Sequence, residues 1–152
     1  MPLQPGNEAP PFELSDQRGE PVSLGSFAGR TVLVYFYPKA DTPGCTTQAC
    51  GLRDVAGEVG DTVIVGISPD APAALARFDA RHGLGFTLLS DPDHAVAEAY
   101  GAWGEKRMYG RTYDGVIRSA YLVDEHGVLA DVWSKISPKD TPKNLLAALS
   151  DA

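Results

Sequence analysis

The segment Thr31-Val32-Leu33-Val34-Tyr35-Phe36-Tyr37-Pro38-Lys39-Ala40-Asp41-Thr42-Pro43-Gly44-Cys45-Thr46-Thr47-Gln48-Ala49-Cys50 carries two signals in series. Its first seven residues form an unbroken β-branched and aromatic run, the pattern of a strand buried on both faces. Pro38 ends that run, because it lacks the N–H a continuing strand would need. From about Thr46 to Val59 the apolar residues Ala49, Leu52, Val55, Ala56 and Val59 recur at three- and four-residue spacing, which predicts a helix. A buried strand that turns through Asp41-Thr42-Pro43-Gly44 into a helix is the repeating unit of an α/β layered domain.

The rest of the chain extends this pattern. Residues 62–68 form a second buried strand and 86–89 a third. Between them Ala71 to Arg81 reads as a helix with Leu75 and Phe78 inward, ended by His82-Gly83. A short helix over Ala95–Tyr100 follows. Residues 120–123 and 128–133 flank Asp124-Glu125-His126-Gly127 as a hairpin, and Thr141-Pro142 opens a last helix through Leu145, Leu146 and Leu149. Upstream, Pro2, Pro5, Pro10 and Pro11 argue against regular structure before Phe12, whereas residues 12–14 and 21–24 suggest a short hairpin. Trp103 and Tyr109 read as core or pocket-wall aromatics. With no repeat, low-complexity tract or linker, residues 1–152 read as one domain. It is expected to hold a central mixed β-sheet flanked by helices on both faces, with an N-terminal β-hairpin.

Composition narrows the function. Thirteen basic against twenty acidic residues leave a formal charge of −7, the wrong sign for a nucleic-acid or anionic-lipid surface. No run approaches the ~18 apolar residues of a membrane span. The first residues, Met1 to Glu8, show neither a basic region nor an apolar stretch, so the expectation is a cytoplasmic protein. Cys45 and Cys50 are the only cysteines, too few for a disulfide scaffold or a four-thiolate zinc site. No flavin, haem or metal motif appears, and no cofactor is expected. In a reducing compartment a close cysteine pair is more often catalytic or metal-binding than structural.

Position and spacing separate the two thiols. Cys45 falls at or near a helix N-terminus, where unpaired N–H groups and the helix dipole favour an anion and hence a nucleophilic thiolate. On a continuous helix five residues advance about 500°, which leaves the two side chains roughly 140° apart. The axial rise is about 7.5 Å, whereas a disulfide needs Cα atoms within about 7 Å. If the thiols do bond, the first turns of the helix must unwind, which implies two conformations.

These residues resemble a known family. Pro38, Thr42, Cys45 and Thr46 match the active-site signature of the peroxiredoxins. Cys50 is similar to the resolving cysteine of the bacterioferritin-comigratory, or PrxQ-type, subfamily. The likeness extends through Phe86–Asp91, Tyr100–Lys106 and Arg118–Asp124. It implies a thioredoxin-like fold and thiol-dependent reduction of hydrogen peroxide and organic hydroperoxides. Cys45 would be oxidised to sulfenic acid, resolved by Cys50 as an intramolecular disulfide, and reduced by thioredoxin or a similar dithiol. Thr42, Gly44 and Arg118 would bind the peroxide, Pro38 would cover the pocket, and Gln48 would support the arginine. Lys39 and Arg53 are candidates to join Arg118 around the sulfur. Because both thiols lie in one chain, a monomer is expected, with a weak dimer as the variant reading. Rival readings are a redox sensor or holdase chaperone using the same pair, a disulfide reductase or oxidase (against which the absent Cys-x-x-Cys speaks), and a binding module with inert cysteines.

Overall fold

Residues 3–150 are described by the structure, a computed structural model, and most of their strands and helices follow the hydrophobic pattern. Along the chain run β1 (Glu13–Asp16), β2 (Pro21–Ser23), β3 (Val32–Phe36), α1 (Pro43–Val55), β4 (Val63–Ser68), α2 (Pro72–His82) and β5 (Thr87–Ser90). There follow α3 (Ala95–Tyr100), β6 (Trp103–Met108), β7 (Arg111–Val116), β8 (Ser119–Val123), β9 (Leu129–Trp133) and α4 (Asp140–Ser150). Seven strands form one sheet in the order β2-β1-β5-β4-β3-β8-β9. β3 pairs in parallel with β4 and antiparallel with β8, so the sheet is mixed. The N-terminal hairpin β1–β2 extends it, since β1 lies antiparallel to β5.

Every residue of β3 is buried because the strand has a core on each side. Leu33, Tyr35 and Tyr37 face one core, with Ala49 and Leu52 of α1, Leu75 and Phe78 of α2, and Leu145 of α4. Val32, Val34 and Phe36 face the other, with Phe12 and with Ala97 and Tyr100 of α3. The period of two along β3 thus builds both layers from one strand. Among the described residues, no helix is long and apolar enough to cross a membrane.

Several expectations change, among them the end of α1, which stops at Val55 and gives way to a 3-10 turn over Ala56–Glu58 instead of running to Val59. α1 starts at Pro43, in the favoured first helical position, rather than near Thr46, so Cys45 lies inside the first turn. The stretch after α3 holds a two-stranded ribbon, β6–β7, that the hydrophobic pattern did not reveal. Arg111 to Asp114 are all exposed, so no apolar alternation marks the ribbon. Its turn is made by Tyr109 and Gly110, both at positive φ, as a two-residue hairpin turn requires. Tyr109 is 97% exposed at the ribbon turn and is not a core aromatic. Trp103 is half-buried, stacked on His94 with ring centroids 3.7 Å apart.

Gly66 in β4 is a close-approach position. A Cβ there would lie 2.9 Å from the Tyr35 hydroxyl and ring. Tyr35 is fully buried and stacked on Tyr37, with centroids 5.4 Å apart, so it has little room to retreat. Gly66→Ala is therefore expected to destabilise the fold by about 1–3 kcal/mol, the usual cost of overpacking, read as a lower urea midpoint at unchanged slope.

Candidate active site

The site is assembled where β3 gives way to α1. After Tyr37, whose N–H donates to Ile67 O at 3.1 Å, the chain turns through Asp41 at φ 64 and an extended Thr42 into Pro43. Thr46 N–H makes the bond to Thr42 O at 2.8 Å that closes the first turn. The N–H groups of Gly44 and Cys45 lie ahead of it, at the positive end of the helix dipole. Cys45 is 1% exposed and packs among Tyr35, Ala49 and Leu52.

Arg118, in the link between β7 and β8, meets the sulfur. Its Nη2 lies 3.3 Å from Cys45 Sγ, and its Nη1 donates to Gln48 Oε1 at 2.6 Å. Gln48 is fully buried; its Nε2 donates to Thr141 Oγ1 at 2.9 Å, and that hydroxyl donates to Ser137 O at 2.9 Å. One turn of α1 thus supplies both the sulfur and the amide that aims the guanidinium at it, and α4 steadies the amide. Among the described residues Arg118 has no carboxylate partner, so its charge is left facing the sulfur. Gly44 makes the approach possible, because a Cβ there would stand 3.2 Å from Arg118 Nη2.

The remaining residues fall as follows. Thr42 occupies the N-cap position, but its hydroxyl donates to Lys39 O at 2.8 Å and does not cap the helix. Pro38 sits half-buried just beyond β3. Cys50 is half-buried one and a half turns along α1, and both thiols are free. Lys39 is exposed, and Arg53 turns away to Asp54 and to His82 O, so neither joins Arg118 at the sulfur. The second cation near the site is Lys106 of β6. Burial lowers its ammonium pKa and the neighbouring Arg118 pushes the same way, while the Cys45 sulfur opposes both. The fold that returns β6 past Arg118 brings it there, and no spacing in the sequence announced it. Thr141 was equally hidden, legible only as part of a helix opening. Among the described residues no three His, Cys, Asp or Glu side chains gather as metal ligands.

Two open clefts reach this region. One of about 480 Å³ is lined by Lys106, Ile117, Arg118, Lys135 and Ile136 among others. The other, of about 320 Å³, is lined by Pro43, Gly44, Thr47, Ser137, Pro138 and Lys139. A buried sulfur faced by a fixed cation and by first-turn N–H groups is suited to nucleophilic attack in which negative charge spreads onto a small bound molecule.

Comparison with known proteins gives a consistent picture. The model of the AhpC/TSA family matches residues 5–132. Peroxiredoxin Bcp of Escherichia coli (strain K12) is 53% identical over 134 residues, covering 87% of this chain and 86% of that protein. Among solved structures, a Xanthomonas campestris peroxiredoxin Q superimposes with a TM-score of 0.89 at 32% identity, covering 98% of this chain and 99% of that one. A bacterioferritin comigratory protein from the same organism, described for its alkyl peroxide reduction activity, gives 0.88 at 31%, covering 99% and 97%.

The Gln48 link is testable without reference to activity. Gln48→Leu keeps the volume but leaves the Arg118 guanidinium and the Thr141 hydroxyl each short of a partner at a fully buried position. The expected loss is about 1–3 kcal/mol of folding stability, measured by chemical denaturation.

Proposed function

The chain belongs to the AhpC/TSA family, as a PrxQ-type peroxiredoxin with a thioredoxin-like α/β fold, and on that premise we propose that Cys45 is its peroxidatic cysteine and Cys50 its resolving one. Peroxiredoxins are thiol peroxidases, so the chain is an oxidoreductase. The observation that carries the assignment of roles is the Arg118 guanidinium 3.3 Å from a buried Cys45 sulfur, with no carboxylate among the described residues to neutralise it.

In the first step the Cys45 thiolate attacks the nearer peroxide oxygen. The S–O bond forms as the O–O bond breaks, and the departing oxygen takes a proton and leaves as water or an alcohol. Negative charge passes from sulfur onto two oxygens in line. Arg118 and the N–H groups of Gly44 and Cys45 are the donors that meet it, with Thr42 beside them to hold the substrate and Pro38 to shield the sulfur from water. The substrates are hydrogen peroxide and organic hydroperoxides. The open clefts, one lined by Arg118 and the other by Gly44, support the larger ones.

In the second step the Cys50 sulfur attacks the Cys45 sulfenic acid. The S–S bond forms as the S–O bond breaks, and the hydroxyl leaves as water with the Cys50 proton. Both residues lie on α1, so this step requires the helix start to unwind. Oxidation itself favours opening, since a neutral sulfenic acid no longer gives Arg118 an anion to face. A dithiol of the thioredoxin kind then reduces the disulfide by exchange through a mixed disulfide. Turnover in this scheme needs no second subunit.

Intact mass after one equivalent of peroxide tests the scheme directly. The wild type is expected to lose two hydrogens, Cys50→Ser to gain one oxygen and stall when thioredoxin is the only donor, and Cys45→Ser to be unchanged and inactive. Full peroxidase turnover by Cys45→Ser would overturn the assignment. Arg118→Ala is expected to lower kcat/KM by about 10²–10³-fold, the size of effect seen when one charge-stabilising donor is removed.

A further inference from the structure

Disulfide formation needs the entry of α1 to open, so the contacts that pin residues 39–42 govern how often it does. Two carboxylates hold this segment. From the loop after β4, Asp70 Oδ2 accepts the Ala40 N–H at 2.7 Å and the Ser68 hydroxyl at 2.7 Å. Asp41 reaches out to the last turn of α2, where Arg81 Nη1 donates to its Oδ2 at 3.0 Å and His82 Nε2 lies 3.0 Å from its Oδ1. Its carboxyl is held below the ordinary range, chiefly by the hydrogen bond with His82. Asp41 also adopts φ 64, a left-handed conformation that an L residue enters at some cost, so it is kept there partly by what its side chain grips.

The far half of α1 is fastened separately. Arg53 Nη1 donates to His82 O at 2.6 Å, on the same end of α2, and Gly51 packs so closely on Pro142 that a Cβ would meet its Cγ at 3.0 Å. Opening can therefore release the Asp41 grip while the back of the helix stays docked. The Asp41 grip also differs in kind from the Arg118–Cys45 contact. The latter weakens when the sulfur is oxidised, whereas the former is indifferent to the redox state.

We propose that Asp41 is a positioning residue that latches the entry of α1 to the C-terminal end of α2 and sets the rate of disulfide formation. The proposal rests on the reading of Cys50 as the resolving cysteine in the same chain. It makes Asp41 a determinant of how the sulfenic acid divides between resolution by Cys50 and a second attack on peroxide, in which a second S–O bond forms as the O–O bond breaks, giving sulfinic acid while the distal oxygen takes a proton and leaves as water or alcohol.

The latch is an exposed ion pair, so its effect is modest but measurable. Asp41→Ala is expected to speed disulfide formation, followed by rapid quench and thiol alkylation after one equivalent of hydrogen peroxide, by about two- to fivefold. The sulfinic fraction at high peroxide should fall accordingly. Arg81→Ala, which removes one arm of the grip, should give a smaller change in the same direction. In a Cys50→Ser background, Asp41→Ala should leave sulfenic-acid formation at the parental rate, which separates a latch from general damage to the site. Amide exchange of the reduced protein provides a reading independent of disulfide chemistry. The Thr46 N–H should exchange about two- to fivefold faster in Asp41→Ala, with the β3 amides unchanged. Unchanged exchange at Thr46, or slower sulfenic-acid formation, would overturn the latch. Failure of the wild type to form the disulfide would overturn the reading of Cys50, and the exchange measurement would still decide the role of Asp41.

Discussion

Everything at this site depends on one guanidinium held against one buried sulfur. A half-buried arginine without a carboxylate partner is costly unless something else satisfies it. Here a neutral amide takes one of its nitrogens and leaves the positive charge for the sulfur. Had a glutamate stood at position 48, the guanidinium would have been neutralised by its own support. The neutral Gln48 steers without competing. Because Gln48 and Cys45 share one face of α1, the direction of the guanidinium and the position of the sulfur cannot drift independently.

The same sharing creates a conflict. The first turn of α1 must be well formed for the Arg118–Cys45 geometry to exist, and the separation of residues 45 and 50 on an intact helix keeps the thiols from bonding. A helix start stable enough to present the sulfur is thus an obstacle to the disulfide step we propose. Rigid burial under one core cluster sets the first requirement, through Cys45 packed with Tyr35, Ala49 and Leu52. The second is met by building the entry from weak, separable contacts: a threonine hydroxyl on a carbonyl, one N–H on a carboxylate, and an exposed ion pair. Segments that move are drawn from the low-stability end of a fold, and this loop fits that description.

How much of this the sequence disclosed depended on how local the signal was. The strand through Val32–Phe36 was legible because burial on two faces leaves an unbroken apolar run, and α3 because its spacing is undisturbed. The β6–β7 ribbon was illegible, because its exposed charged positions show no apolar face. The start of α1 was placed three residues late, since its first turn, Pro43-Gly44-Cys45, carries no helical periodicity, only a favoured proline. Within the site, Cys45 and Cys50 declared themselves by spacing. Arg118, seventy-three residues beyond Cys45, was found only through resemblance to a family. Lys39 and Arg53 were grouped with it by proximity along the chain. That reasoning failed because Arg53 sits beyond Cys45 on α1 and finds the end of α2 instead.

A net charge of −7 and a site built from cations follow from one principle applied at two ranges. In water at physiological salt, surface carboxylates beyond about 8 Å are screened from the sulfur, so the total says little about the local field. Inside the protein screening is weak, and position decides. Arg118 and Lys106 lie near Cys45, while Asp41 and Asp70 point their carboxylates at other donors and Asp54 is occupied by Arg53. These three acids are thereby engaged by donors other than the groups around the sulfur. Of the three, Asp41 is paired with Arg81 and Asp54 with Arg53, while Asp70 accepts from the Ala40 N–H and the Ser68 hydroxyl. An acidic composition and a cation-faced sulfur are compatible because carboxylates on the neighbouring loop and helix are engaged in holding those elements in place.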